Sequence, residues 1–168
     1  MEPYRNEILT NEVHLYRIYK GESQLVNIFT NLLHEALPSI DFILLNAGSF
    51  RSEWFPGPIT EADFESMFPF ENNICSFEIS GSSLISMLKT LQSGRRGLYH
   101  LWNINQTVQL LPEPKLTSAS FFSSAKIQPE KIYKGATIEF LLKGGDDFED
   151  VMKENYAPVK SKVEGKFK

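Results

Sequence analysis

The residues best suited to bind a small molecule lie in two loops, each of which follows an apolar, strand-like run. Residues 46–51 read Asn-Ala-Gly-Ser-Phe-Arg and offer an amide, bare backbone and a guanidinium. Residues 144–148 read Gly-Gly-Asp-Asp-Phe, where two glycines allow close approach of the backbone and a carboxylate follows at once. Because a guanidinium matches phosphate and a carboxylate accepts strong hydrogen bonds, the two loops together suit a pocket for a flat, polar, phosphorylated molecule.

The chain shows no set of residues suited to catalysis on such a molecule. His14, His34 and His100 do not lie at metal-ligand spacing from one another or from their neighbours. Cys75 is the single cysteine and has no base beside it, which favours a buried structural thiol and excludes an internal disulfide. The sequence therefore predicts a binding domain with no catalytic or metal-ligating residues, inactive by itself.

Length and composition are those of a single globular domain, residues 1–168. Hydrophobic residues make up 42% and charged residues 23%, and the length is sufficient to bury a core. The net charge of −4 disfavours nucleic-acid binding. No segment reaches the roughly 18 apolar residues of a membrane span. The polar N-terminus is unlike a signal peptide, and together with the lone cysteine it slightly favours a cytoplasmic location.

Hydrophobic periodicity predicts a mixture of strands and helices around the two loops. The predicted strands are residues 12–20, 42–45, 74–79, 98–102, 106–111 and 133–142. The predicted helices are residues 23–37, 60–68 and 82–93. Because these elements mingle without strict alternation, the expected fold class is α+β, with a mixed β-sheet layered with helices.

The sequence also predicts one helix cap, the character of the C-terminal end and several core positions. Thr60, followed by Asp63 three residues on, is close to a capping box. The lysine-rich residues 160–168 are expected to form a solvated or frayed end. The first helix is expected to bury Leu25, Ile28, Phe29, Leu32, Leu33 and Ala36, and the core to include Phe64, Phe68, Phe77 and Phe148.

Five short blocks resemble, in the same order and with similar spacing, the C-terminal domain of the 5'-nucleotidase family, which also includes UDP-sugar hydrolases and 2',3'-cyclic-nucleotide phosphodiesterases. The resemblance covers residues 12–152, approximately, and leaves a polar tail at 153–168. The blocks are residues 46–51, Gly-Pro-Ile-Thr at 57–60, Phe-Pro-Phe-Glu-Asn at 68–72, Ile-Ser-Gly-Ser-Ser-Leu at 79–84, and the segment from Tyr133 to Phe148.

The resemblance implies that the domain holds the nucleoside half of a nucleotide. It implies that Phe70 and Phe140 enclose the base between two rings, and that Asp146 accepts hydrogen bonds from ribose hydroxyls or from the base. It further implies that Asn46 contacts a ring edge, while Arg51 meets phosphate or ribose oxygens. The glycines allow the backbone to approach the ligand. The implied binding set is Asn46, Gly48, Arg51, Phe70, Phe140, Gly145 and Asp146.

The resemblance also implies a partner. Family members hydrolyse the phosphoester at a site with two divalent metals in a separate N-terminal metallophosphoesterase domain, so both metals are expected there and none in this chain. Two departures concern the ligand. If Glu22 opens the first helix, Tyr19 stands where the family has an arginine, and Trp102 lies where the family has small residues near the base.

Two alternatives remain open at this point. The same nucleotide-binding fold could act alone, as a non-catalytic sensor or interaction module. A more remote alternative is a diguanylate-cyclase-like domain, because Gly-Gly-Asp-Asp-Phe at 144–148 differs by one carboxylate residue from the Gly-Gly-Asp-Glu-Phe of those enzymes. In diguanylate cyclases the motif lies in a hairpin between two strands and works with a metal-binding aspartate far upstream. This chain has no segment that matches the one with that aspartate.

Overall fold

The computed structural model describes residues 7–12, 14–15, 24–92, 99–103, 106–110, 127–148 and 161–166. The strands within these ranges are β1 (Glu7–Asn11), β2 (Phe42–Asn46), β3 (Gly57–Thr60), β4 (Asn73–Ser80), β5 (Tyr99–Asn103), β6 (Gln106–Leu110), β7 (Ile132–Ile138) and β8 (Ser161–Lys166). Six of them form one mixed sheet in the order β6–β5–β2–β7–β4–β8. β2 and β7 run parallel, and the other neighbours are antiparallel. β1 and β3 pair separately, also antiparallel.

Helices pack against the six-stranded sheet and, in one case, against β3 of the separate pair. They are α1 (Gln24–Ala36), α2 (Glu61–Met67), α3 (Gly81–Gln92) and the short α4 (Glu139–Leu142). α1 contacts β5 and β6, α2 contacts β3, and α3 contacts β4, β6 and β7. The predicted α+β architecture is thereby confirmed. None of the helices that the structure describes has the length and apolar character needed to span a bilayer.

The core contains the residues that the sequence marked as apolar and continuous. All five residues of β2 are buried, as expected for a strand between two neighbours. Phe68, Phe77 and Phe148 are buried and Phe64 packs against the core, so the predicted phenylalanine positions are confirmed. Cys75 is also buried, in agreement with a structural thiol.

The capping box at the start of α2 is confirmed. The Thr60 side chain accepts a hydrogen bond from the Asp63 backbone, and the Asp63 carboxylate accepts one from the Thr60 backbone at 2.8 Å. The Thr60 hydroxyl also donates to this carboxylate, and together these bonds hold the pKa of Asp63 below its ordinary value. The folded state therefore favours the charged form of Asp63. The stabilisation from this cap is fully present at pH values above the unfolded-state pKa of Asp63, and it is lost as the pH falls through the lower folded-state pKa.

The buried face of α1 differs from the predicted one. Phe29 is buried as expected, but Ile28 and Leu32 are 39% and 54% exposed. Thr30 is fully buried instead, and its hydroxyl donates to the Val26 carbonyl at 2.8 Å, which removes the cost of burying it. The helix is therefore rotated relative to the apolar stripe. Its buried or partly buried residues include Leu25, Val26, Phe29, Thr30 and Leu33, and Ala36 is exposed.

Two predictions in the C-terminal half were wrong. The strand expected over 133–142 ends at Ile138, and residues 139–142 form α4 instead. The solvated end expected at 160–168 contains β8, which pairs with β4 along the edge of the sheet. The Lys162 and Val163 side chains are exposed. The lysine-rich pattern therefore indicates that side chains are exposed, but it does not indicate whether the backbone pairs with another strand.

The structure describes an N-terminal strand that was not predicted, and most of the strand expected at 12–20 lies outside the described residues. The strand that is described, β1, covers Glu7–Asn11. Within the range 12–20, Leu15 forms an isolated antiparallel bridge with Trp54. Residues 16–23, which include Tyr19 and Glu22, lie outside the described residues, as does the Trp102 side chain.

Candidate functional site

The topology of the sheet brings three separate segments to one edge. β2 and β7 are parallel neighbours, with Phe42 opposite Gly135, so both strands end at the same edge. β4 runs antiparallel to β7 with Ile74 opposite Ile138, so β4 begins where β7 ends. The loop after β2, the segment before β4 and the residues after β7 therefore converge. The carboxyl ends of parallel strands are a common place for ligand clefts.

An open cleft of about 430 Å³ lies at this edge. Six of the seven residues predicted to bind ligand line it, and Gly145 does not. Sequence reasoning missed four further lining residues, Ser49, Glu71, Asn72 and Ile138, although all four lie inside blocks that had already been singled out. The lining residues are Asn46, Gly48, Ser49, Arg51, Phe70, Glu71, Asn72, Ile138, Phe140 and Asp146.

A chain of polar side chains forms one side of the cleft. Asn46 is only 6% exposed, and its Nδ2 donates to Oδ2 of Asp146 at 2.5 Å. The hydroxyl of Ser49, also buried, donates to Oδ1 of Asn46. Asp146 has a left-handed backbone with φ of 52°, which non-glycine residues seldom adopt, and Gly144 before it has φ of 98°. This turn presents the carboxylate to Asn46, and backbone strain of this kind is concentrated at functional sites.

Two exposed aromatic rings form the apolar part of the cleft. Phe70 and Phe140 are 53% and 45% exposed, although both are large hydrophobic residues. The guanidinium carbon of Arg51 lies over the ring of Phe70, 5.4 Å from its centroid, which is within range of a cation–π interaction. Exposed apolar surface next to converging polar groups is typical of a ligand site.

Phe140 is positioned by the short helix α4. The Glu139 carboxylate, just before it, accepts hydrogen bonds from Asn73 Nδ2 at 2.8 Å and from Lys143 Nζ at 2.8 Å. Donation by Lys143, and then by Asn73, lowers the pKa of Glu139. Since Asn73 begins β4, this pair ties α4 to the segment that carries Phe70. The two rings are thus held from adjacent strands.

Gly145 supports the ring of Phe140. A Cβ atom at this position would lie 2.3 Å from that ring, so any other residue would displace the ring from its present position. The sequence suggested that this glycine lets the backbone approach a ligand. The structure shows that the backbone of Gly145 approaches the aromatic side chain of Phe140, and the ligand contact stays a prediction.

We expect Gly145→Ala to weaken ligand binding at the cleft while costing less than about 1 kcal/mol of folding stability, because Phe140 is half-exposed and its ring can move aside. Gly135→Ala is the comparison variant. Its added Cβ would lie 2.4 Å from the buried ring of Phe42 and 2.8 Å from that of Phe77, so a loss of about 1–3 kcal/mol is expected. Urea denaturation followed by calorimetric titration measures both effects. Equal stability losses in the two variants would contradict the interpretation that the Phe140 ring can move aside whereas the buried rings beside Gly135 cannot.

Within the described ranges, no three His, Cys, Asp or Glu side chains are grouped as metal ligands. His14 instead contacts Glu53 Oε2 at 3.1 Å through Nε2 and stacks on Phe55 at a centroid distance of 4.3 Å. Residues 145–147 form a 3-10 turn after α4 and not a hairpin between two strands. This geometry speaks against the diguanylate-cyclase-like alternative.

Comparison with protein families gives a match to the family described as 5'-nucleotidase, C-terminal domain, over residues 6–154. Among curated proteins, an apyrase of Tabanus yao is 29% identical over 131 residues, covering 67% of this chain and 24% of the apyrase.

Solved structures share the fold. The 5'-nucleotidase precursor of Thermus thermophilus superposes with a TM-score of 0.66 at 19% identity, covering 96% of this chain and 34% of that one. The NAD nucleotidase of Haemophilus influenzae has a TM-score of 0.55 at 16% identity, covering 94% of this chain and 31% of that one. The chain therefore spans about a third of the length of these structures.

Proposed function

The chain belongs to the 5'-nucleotidase C-terminal domain family, and from this premise we propose that its cleft binds the nucleoside part of a nucleotide. The observation that carries the proposal is the exposure of Phe70 and Phe140 in one cleft beside Asn46, Arg51 and Asp146. Aromatic rings can stack on any base, since every base has a π-face. The polar groups supply contacts for the sugar and the phosphate.

Each polar residue has a distinct part in this proposal. The Asp146 carboxylate accepts hydrogen bonds from ribose hydroxyls or from the base. Arg51 serves both the ring of Phe70, over which it lies, and a phosphate or ribose oxygen. Asn46, beside Asp146, contacts an edge of the base. Gly48 lines the cleft without a side chain, which leaves the backbone of the loop accessible to the ligand.

We further propose that the chain works as the substrate-binding half of a phosphoester hydrolase. The apyrase and the nucleotidases that it resembles are named for reactions on nucleotides, and this chain covers only a fraction of each. In this proposal an N-terminal metallophosphoesterase domain holds two divalent metals, which activate water and neutralise phosphate charge. The alternative is a stand-alone binding module. Metal-ligand segments encoded upstream would distinguish the hydrolase from it.

A thermal-shift panel tests ligand binding. We expect AMP and adenosine, or other nucleotides and nucleosides, to raise the melting temperature by about 3–6 °C at ten times their Kd, because ligands stabilise the folded state by mass action. Ribose 5-phosphate, which has no base to stack, should give a much smaller shift. If every nucleotide and nucleoside in the panel left the melting temperature unchanged up to millimolar concentrations, nucleoside binding would be ruled out.

A phosphate-release assay tests whether hydrolysis requires the other domain. The purified chain is expected to release no phosphate from AMP, with or without added Mn²⁺ or Zn²⁺, because the metal-holding residues belong in this proposal to the other domain. A malachite-green assay measures this, with a complete two-domain nucleotidase as the positive control. Turnover that co-elutes with the chain and is abolished by Asp146→Ala would place a catalytic centre within it.

A further inference from the structure

We propose that Ser49 is a positioning residue that holds the Asn46 amide so that its N–H faces the ligand, and that this side of the cleft thereby favours a base with a hydrogen-bond acceptor at this point, such as an unprotonated ring nitrogen of a purine. The inference rests on the proposed function, since it concerns the same cleft. It adds a residue that the predicted binding set did not contain, and it states the polarity of the base edge that this side of the cleft accepts.

The orientation of the amide follows from its two partners. An ionised carboxylate only accepts hydrogen bonds, so the Asn46 atom 2.5 Å from Asp146 Oδ2 must be the donor Nδ2. That leaves Oδ1 toward Ser49, whose hydroxyl donates to it. In the reversed amide, Oδ1 would face a carboxylate oxygen and the NH₂ group would face the hydroxyl. Asp146 therefore decides the orientation, and Ser49, whose hydroxyl could also accept a hydrogen bond, holds the amide in place from the opposite side.

The remaining hydrogen-bonding capacity decides what a ligand must offer. Nδ2 carries two hydrogens, and Asp146 uses one of them. The glycine at position 48 borders this atom, and a Cβ there would lie 3.3 Å from Nδ2, so the residue preserves space beside the donor. Asn46 and Ser49 are 6% and 9% exposed, and water competes little in such a place. An acceptor on the ligand completes the network, whereas a ring N–H would meet another donor.

The test measures binding of adenosine and guanosine together with analogues in which one ring nitrogen is replaced by C–H: 1-, 3- and 7-deazaadenosine, and 3- and 7-deazaguanosine. Calorimetric titration of the wild-type chain should show one position whose replacement weakens binding on the order of tenfold, the value of one buried hydrogen bond. In Ser49→Ala the penalty at that position should fall to about threefold or less, since the amide is no longer held from both sides. Ser49→Thr retains the hydroxyl and should restore the larger penalty.

Two further variants keep the result interpretable. Ser83→Ala removes another buried hydroxyl, which accepts a hydrogen bond from Ser80 and follows the far end of β4 from the cleft, and it should leave the deaza penalties unchanged. Ser49→Cys is nearly isosteric and donates weakly, so it provides an intermediate penalty even if the alanine variant does not fold.

Three outcomes would overturn the inference. If the wild-type chain binds a purine nucleoside but no deaza analogue binds more weakly, the ligand does not use an acceptor here. If the penalty is the same in Ser49→Ala and Ser49→Cys as in the wild type, Ser49 does not position the amide. In both cases nucleoside binding itself stands. If neither adenosine nor guanosine binds, the inference falls, and the other nucleotides and nucleosides of the thermal-shift panel decide whether the proposed function falls with it.

Discussion

Replacing either Phe70 or Phe140 by alanine is expected to weaken nucleoside binding by about 1–3 kcal/mol, which is the usual value of one aromatic ring stacked on one base. Both rings line the cleft and are about half exposed, so their removal leaves the core intact. If the rings stack on opposite faces of the base, the losses in the double variant should be roughly additive. Isothermal titration calorimetry with adenosine and AMP measures each step.

Phe55→Ala is the matched control for these variants. Phe55 is another exposed phenylalanine, 64% accessible, but it stacks on His14 and does not line the cleft. Its replacement should leave affinity unchanged within error. If Phe70→Ala and Phe140→Ala both retained wild-type affinity in these titrations, the aromatic part of the proposed site would be refuted. A loss in Phe55→Ala of the same size would point to a general effect of removing surface rings.

Phe148→Ala is expected to destabilise the chain by about 3–5 kcal/mol, the range for removing a fully buried aromatic side chain. Its exposure is 0%, and it directly follows the turn that carries Asp146. The loss arises from the missing apolar contacts and from the cavity that the surrounding side chains fill only in part. Urea denaturation monitored by circular dichroism gives the free energy of unfolding.

The comparison variant is Phe140→Ala, eight positions earlier in the same segment. Because Phe140 is 45% exposed, its removal should cost less than about 1 kcal/mol of stability while reducing ligand affinity. The two variants thus separate a phenylalanine that supports the fold from one that is available to a ligand. A stability loss in Phe148→Ala as small as that in Phe140→Ala would show that this part of the core is less tightly packed than the structure indicates.

Periodicity alone distinguished helices from strands but not always which face is buried. The spacing of apolar residues located α1, which was predicted over 23–37 and covers Gln24–Ala36. It placed Ile28 and Leu32 on the buried face, where the structure has Thr30. A threonine hydroxyl that bonds its own helix backbone can be buried at little cost, and a hydropathy pattern does not record that bond.

Edges and short elements were the least predictable parts. β8 is an edge strand whose Lys162 and Val163 side chains are exposed, and a polar pattern of this kind resembles a frayed end. The end of β7 was not predicted, because Glu139–Leu142 is apolar enough to continue a strand. In the structure these residues form a helical turn, and Glu139 accepts hydrogen bonds from Asn73 and Lys143. Such bonds depend on residues distant in sequence as well as local ones.

What the sequence determined by itself was the family, the two loops and the kinds of group that they offer, because glycine, amide, guanidinium and carboxylate types are properties of each position. What only the tertiary structure decided was how those groups combine. Asn46 and Asp146 are 100 positions apart and meet because β2 and β7 are parallel neighbours, with both loops leaving the same edge of the sheet. Exposure was decided in the same way. Phe140 and Phe148 have the same side chain, and the fold places one in the cleft and the other in the core.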